Sequence, residues 1–235
     1  GENSTDIVCE EEDRAYFENY FDLKTDYSAI CKRAQNSKYA VVREAAKRAS
    51  GVRILRQNTE EMLFSFIISQ NNMIPRIKSI IERTAKALGE KESFMGEDYY
   101  AFPTAESLAS ETPAFFYELG YGYRAEYVPL AARAISSGEF NLSADGLSTA
   151  ELRKKLLSLK GVGPKVADCV ALFGYHRTDS FPVDTWIEKL YKEDFGGKLT
   201  DRKKISDFFT GEFGEDSGFV QQYVFYYKRS LENQS

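Results

Sequence analysis

The chain predicts an all-α fold of about ten helices. Three observations carry that expectation. Apolar residues recur at helical spacing through most of the chain, convincing period-2 alternation is absent, and a two-glycine turn, Gly161-Val162-Gly163, joins two apolar-periodic stretches.

Residues 1–15 are acidic and poor in apolar groups, and are expected to form a linker or disordered end ahead of a domain at 16–235. Residues 39–48 are rich in Ala and Arg and run into Ser50-Gly51, a C-terminal stop. Residues 60–69, Glu-Glu-Met-Leu-Phe-Ser-Phe-Ile-Ile-Ser, are apolar on most sides, which marks a buried central helix. Residues 74–88 put Ile74, Ile77, Ile81 and Leu88 on one face and stop at Gly89. Short helices at 105–109 and 113–119 end at Gly120, and 124–136 are amphipathic with a start made irregular by Pro129. Ser148-Thr149-Ala150-Glu151 is a capping box that opens a helix over 149–158. Helices over 165–174, 185–192, 201–213 and 218–228 follow.

The 235 residues suffice for one large or two modest domains. No run approaches the roughly 18 apolar residues of a membrane span and no signal-peptide pattern opens the chain, so no membrane partner is expected. Cys9, Cys31 and Cys169 are widely spaced and odd in number, so neither a disulfide framework nor a cysteine-rich metal site is readable. That suits a reducing intracellular compartment: cytoplasm or nucleoid, or the nucleus of a eukaryotic cell. The net charge of −5 at first argues against nucleic acid. Residues 1–22, however, hold eight acids and one base, so the remainder carries +2 and can present a local basic face to phosphates. Nothing calls for an oligomer, and a monomer is expected.

The glycine turn is the most informative segment. Gly161 and Gly163 permit backbone dihedrals and close approaches that a side chain would block. The helix after the turn points its N-terminus back at it, where free N–H groups and the dipole favour an anion. Such a helix-hairpin-helix device holds a nucleic-acid backbone without reading bases; a purely structural helical hairpin remains the alternative. Lys165 stands in the first turn of that helix. An uncharged amine there would be a nucleophile, and a phosphate-binding or merely solvated lysine is the alternative. Asp184, in Pro182-Val183-Asp184, precedes Thr185-Trp186-Ile187-Glu188 and is placed to cap the next helix. A capped aspartate is rigid, and could also stabilise positive charge at a sugar C1′.

With these residues in place the chain resembles the helix-hairpin-helix (HhH-GPD) DNA glycosylase superfamily, most closely its 8-oxoguanine DNA glycosylase/AP lyase branch. The resemblance covers residues 16–228 and rests on ordered blocks: Val52–Gln57, Phe64–Arg76 with its Asn71-Asn72, Leu119–Tyr127 with Gly122-Tyr123-Arg124-Ala125, Gly161–Cys169 and Pro182-Val183-Asp184. It implies two helical subdomains, 16–60 with 138–235 and 61–137, flanking a DNA-binding cleft. It implies an enzyme that flips a damaged purine out of duplex DNA, 8-oxoguanine opposite cytosine being the expected partner. Lys165 would attack C1′ and form a Schiff base, β-elimination would cut the strand, and Asp184 would support the cationic transition state.

Other roles carry over by position. Asn71 would fill the hole left by the flipped base and Tyr123 would wedge beside it. Arg76 and Arg124 would contact the orphaned cytosine, since guanidinium forks suit its acceptors. Cys169 and Phe225 would sandwich the purine, with Phe173 in the same pocket, and Gln221 would bond its Watson–Crick edge. Trp186, where many relatives have His, would lie at a DNA phosphate. No cofactor is required. A monovalent cation, Na or K, would be held by the carbonyls of Leu157, Leu159 and Val162, and the cysteines cannot supply an iron–sulfur cluster. Met73 replaces the familiar third Asn, so opposite-base recognition is expected to be relaxed. His176 is expected on the surface. Relatives carry an upstream antiparallel β-domain that helps sense the lesion. This chain is expected to begin after it and to discriminate the lesion poorly. A glycosylase for another purine lesion and a non-catalytic DNA-binding module are the competing readings. Lys165 disfavours the first, since those relatives commonly lack the hairpin lysine, and its pairing with Asp184 disfavours the second.

Overall fold

The computed structural model describes residues 6–232. They form two compact units, 6–56 with 222–232, and Gln57–Gln221. This partition differs from the expected subdomains, because residues 138–221 go with 57–137. The reason lies in the packing described below, which ties the glycine hairpin to the buried central helix.

The first unit holds α1 (Arg14–Tyr20), α2 (Tyr27–Gln35) and α3 (Ala40–Arg48). A 3-10 turn, Glu11–Asp13, precedes α1, so order begins inside the stretch expected to be a linker; residues 1–5 of that stretch lie outside the described residues. The sequence reading also missed α2. Its signal was present: Asp26 accepts a hydrogen bond from the Ala29 N–H at 3.0 Å, and Tyr27, Ile30, Cys31 and Ala34 are buried at helical spacing. Asp22, buried with φ +51, anchors this unit. It accepts from the Tyr27 hydroxyl at 2.9 Å and pairs with Arg56 at 2.8 Å.

The second unit runs through α4 (Thr59–Ser69), α5 (Ile74–Leu88), strands β1 (Lys91–Phe94) and β2 (Glu97–Tyr100), α6 (Ala105–Ala109) and α7 (Pro113–Glu118). It continues through α8 (Tyr127–Ser136), α9 (Thr149–Leu157), α10 (Pro164–Phe173), α11 (Thr185–Asp194) and α12 (Arg202–Phe213). The last helix, α13 (Ser217–Glu232), starts in this unit and carries the chain into the first. As expected, α4 is the central helix: Leu63, Phe64, Ile67 and Ile68 share one core with Val166, Ala167, Val170 and Ala171 of α10 and with Leu152 and Leu156 of α9. Thr59 Oγ1 also donates to the Gly174 carbonyl at 2.8 Å, closing α4 onto the end of α10.

The antiparallel ribbon β1–β2 departs from an all-helical reading. Ser93 pairs with Asp98 across it, and the turn takes positive φ at Met95 (51°) and Gly96 (84°), the requirement of a two-residue hairpin. Every residue of both strands is exposed. With no face to bury, the sequence had no alternation to show. The expected helix at 124–136 is likewise split: Gly122–Ala125 forms a 3-10 turn, and α8 begins only at Tyr127, two residues before Pro129. His176 is half-buried rather than on the surface, with φ +54. No helix among the described residues is long and apolar enough to cross a membrane.

Candidate active site

The capping box opens α9 as the sequence indicated, with Ser148 and Glu151 each bonding the other's backbone N–H. The α9–α10 turn follows, and its two glycines have different reasons to be glycine. Gly161 sits at φ +90, and a Cβ there would lie 2.6 Å from the Tyr127 Cβ. Gly163 has φ −92 and nothing within 4 Å of the place its Cβ would take. Gly161 therefore answers to the protein's own backbone and packing, whereas Gly163 leaves open space at the N-terminus of α10. Asp168 pins the two helices together by accepting from Arg153 at 2.6 Å. Burial raises the Asp168 carboxyl pKa, and the Arg153 partner opposes the rise.

Lys165 is the second residue of α10. Its Nζ donates to Ser69 Oγ, at the end of α4, at 3.3 Å, and lies 5.0 Å from the centroid of the Phe66 ring. Ser69 Oγ in turn donates a hydrogen bond to the Phe66 carbonyl at 2.8 Å. Phe66 stacks on Phe173 with centroids 5.4 Å apart, giving the amine an aromatic floor. Cys169, one turn on, is buried. Burial pushes its thiol up to about 11, against the charge and hydrogen bond of Lys165, and the Asp184 carboxylate adds to the rise. One thiol thus senses both Lys165 and Asp184. Asp184 caps α11 by accepting from the Ile187 N–H at 2.8 Å and is half-buried.

A second cluster forms where α4 ends. Asn71 is exposed and takes φ +45. Tyr123, 46% exposed, donates its hydroxyl to the Gln70 carbonyl at 3.3 Å. Arg124 is put to a different use from the one expected. It is buried, and its guanidinium donates to the carbonyls of Gln70 (through Nε at 2.8 Å, and also through Nη2), Asn71 (2.9 Å) and Tyr121 (3.1 Å). Burial, with Arg76 nearby, lowers its pKa. Arg76 is exposed and donates to the Gly120 carbonyl at 3.0 Å. Met73 is 75% exposed beside Asn71.

The structure therefore gathers Lys165, Cys169, Asp184 and Phe173 into one group, and Asn71, Tyr123, Arg124 and Gly161 into another. Gln221 is buried on α13 and Phe225 half-buried one turn later, while Trp186 is half-buried in the first turn of α11. Leu157, Leu159 and Val162 lie in or beside the hairpin turn, where the Leu159 carbonyl accepts the Val162 N–H at 3.1 Å. Among the described residues no group of three His, Cys, Asp or Glu side chains could hold a metal ion. The sequence reading missed Phe66, Ser69, Gln70 and Tyr127. The available signal was two polar residues, Ser69 and Gln70, closing an otherwise apolar helix.

The profile of the HhH-GPD superfamily base excision DNA repair proteins matches residues 64–212. The profile of the 8-oxoguanine DNA glycosylase N-terminal domain matches residues 2–63. The chain belongs to the HhH-GPD superfamily, in its 8-oxoguanine DNA glycosylase branch. A solved relative is the Clostridium acetobutylicum 8-oxoguanine glycosylase/lyase in complex with double-stranded DNA containing cytosine opposite 8-oxoguanine. It is 40% identical with a TM-score of 0.90, covering 96% of this chain and 77% of that one. A probable N-glycosylase/DNA lyase of Methanothermobacter thermautotrophicus is 28% identical over 92% of this chain and 75% of its own length. An N-glycosylase/DNA lyase of Saccharomyces cerevisiae is 39% identical over 62% of this chain, which spans 42% of that protein. The match at 2–63 revises one boundary. Residues expected to follow the family's N-terminal domain match that domain's profile, and among the described ones the regular structure is helical.

Proposed function

We propose that this HhH-GPD protein excises 8-oxoguanine opposite cytosine from duplex DNA and cuts the strand at the resulting abasic site. The observation that carries the reading is the placement of Lys165: an amine on an aromatic floor, hydrogen-bonded to Ser69 and Cys169, with the Asp184 carboxylate felt at the same thiol. The Lys165 Nζ lone pair attacks C1′, the C1′–N9 bond breaks, and its electron pair leaves with the base, which takes up a proton. Opening of the sugar gives an imine between Nζ and C1′. Removal of a C2′ proton then expels the 3′ phosphate oxygen, and water releases the lysine. Asp184, held rigid by its cap, stabilises the positive charge that develops at C1′ before the imine forms.

Residues around this centre take supporting roles. The open N-terminus of α10 at Gly163 seats a backbone phosphate, and Trp186 flanks another. Asn71 and Tyr123 enter the stack as the base leaves. Arg76, whose exposed guanidinium keeps N–H groups beyond the one on the Gly120 carbonyl, meets the opposite cytosine, and Arg124 serves it by holding the carbonyls of Gln70 and Asn71. Cys169, Phe173 and Gln221 receive the extruded purine. The carbonyls of Leu157, Leu159 and Val162 are neutral oxygens of the kind a hard cation takes, and would hold Na or K to brace the turn.

Borohydride trapping on a duplex with 8-oxoguanine opposite cytosine tests the reading. The intact chain gives a covalent adduct and Lys165→Gln gives none while still binding the duplex. An undiminished adduct from Lys165→Gln overturns it.

A further inference from the structure

Gln70 carries no charge and no role in the proposed chemistry, yet it joins the two parts of the molecule that must act together on DNA. It closes α4 with φ −59 and ψ 125, turning the chain out of the helix. Its side-chain amide nitrogen is fully spent: one N–H goes to the Ile67 carbonyl at 3.1 Å, and the other reaches the Gly161 carbonyl of the glycine hairpin at 2.9 Å. Its backbone carbonyl accepts from the Tyr123 hydroxyl at 3.3 Å and from Arg124 Nε at 2.8 Å. The next residue, Asn71, sits in the left-handed region at φ +45, and its own carbonyl is held by Arg124 at 2.9 Å.

These contacts form one chain of hydrogen bonds: glycine hairpin, Gln70 amide, Gln70 carbonyl, then the Tyr123–Arg124 turn on one side and Asn71 on the other. Only the amide bridge reaches the hairpin. Gly161 packs closely on Tyr127, which leaves it no room for a Cβ on that side. Asn has too short a side chain for the bridge, and the Gln carbonyl oxygen is not what the bridge uses. The chemistry required at residue 70 is a neutral, long side chain that donates two hydrogen bonds.

We infer that Gln70 is a positioning residue that sets the distance between the loop inserted into the base stack (Asn71, Tyr123) and the hairpin that grips the backbone (Gly161–Gly163). This rests on the function proposed above. Extruding a stacked base needs both parts to act on the same duplex at a fixed spacing. Cutting an abasic site already formed needs the grip and Lys165, with no stacked base to displace. Loss of the Gln70 bridge therefore separates the two activities.

Gln70→Met, which keeps the length and removes both donors, is compared with the unaltered chain on an 8-oxoguanine duplex and on a preformed abasic duplex. Excision falls about tenfold, the scale of losing the hydrogen bond that bridges to the hairpin, and abasic cleavage falls less than about threefold. Gln70→Glu gives a second arm. At neutral pH its carboxylate faces the Gly161 and Ile67 carbonyls and excision falls further than in the Met variant. As pH drops and the carboxyl gains a proton it can donate again, and the ratio of its excision rate to that of the unaltered chain rises. Equal loss of both activities, or no loss of excision, overturns the inference. So does a Glu/wild-type ratio that does not move with pH. If the unaltered chain excises nothing but cleaves abasic DNA, the proposed substrate is wrong, which is a separate outcome.

Discussion

The second unit contains two hairpins that teach opposite lessons. The helical one, α9–α10, buries both arms: Leu152, Leu156, Val166, Ala167 and Val170 are within the core, and its turn is pressed against Tyr127. The ribbon β1–β2 buries nothing, and a Cβ on its turn glycine, Gly96, would meet no atom within 4 Å. Both turns need positive φ at a glycine. Only one of them couples that glycine to the rest of the fold and to a site.

The contrast can be broken most forcefully at Gly161. Gly161→Ala must hold a side chain at φ +90 and push Tyr127 aside, so it should cost about 3 kcal/mol in denaturant unfolding and take excision down with it. Full stability would show that the hairpin is looser than its contacts imply. At Gly163 the same substitution should change stability by less than about 0.5 kcal/mol, because the weaker helix cap offsets the stiffer unfolded chain. It should nevertheless weaken duplex binding by crowding the open end of α10; unchanged affinity would remove the phosphate seat from that position. On the ribbon, Gly96→Ala should cost about 1 kcal/mol through backbone strain alone and leave excision untouched, as measured by melting and single-turnover assay. A loss of excision there would give the ribbon a part in the reaction.

The smallest effect belongs to the start of α9. Hydrogen bonds from Ser148 hold the Glu151 carboxyl below its usual pKa. A carboxyl with a lowered folded pKa stabilises the fold above the unfolded value and loses that contribution as pH falls through the folded one. The Tm gap between the intact chain and Glu151→Gln should therefore be present at neutral pH and close below about pH 4. A gap that stays constant down to pH 2 would mean that the cap acts without its charge.

The same contrast explains what could be read in advance. The helical hairpin, its capping box and the Lys165–Asp184 spacing are written in apolar periodicity and in residues with few substitutes. The ribbon is written in neither. Met95-Gly96 is a poor advertisement for a turn, and strands with no buried face show no alternation. Arg124 was legible as a guanidinium but not as a buried one, because burial there is decided by the carbonyls of Gln70 and Asn71. Those carbonyls face Arg124 only once α4 has ended and Asn71 has turned left-handed. Gln70 escaped for the same reason: its partner lies 91 positions away along the chain.

The contact between Lys165 and Ser69 has a stereochemical corollary. Since the serine gives its only proton to the Phe66 carbonyl, its oxygen presents lone pairs alone to the lysine, and one N–H of the amine is parked against the end of α4. Nitrogen is tetrahedral, so in the neutral amine the non-bonding orbital then has to point away from that hydroxyl. The hydroxyl spends its acceptor capacity on fixing the direction from which an electrophile can be met.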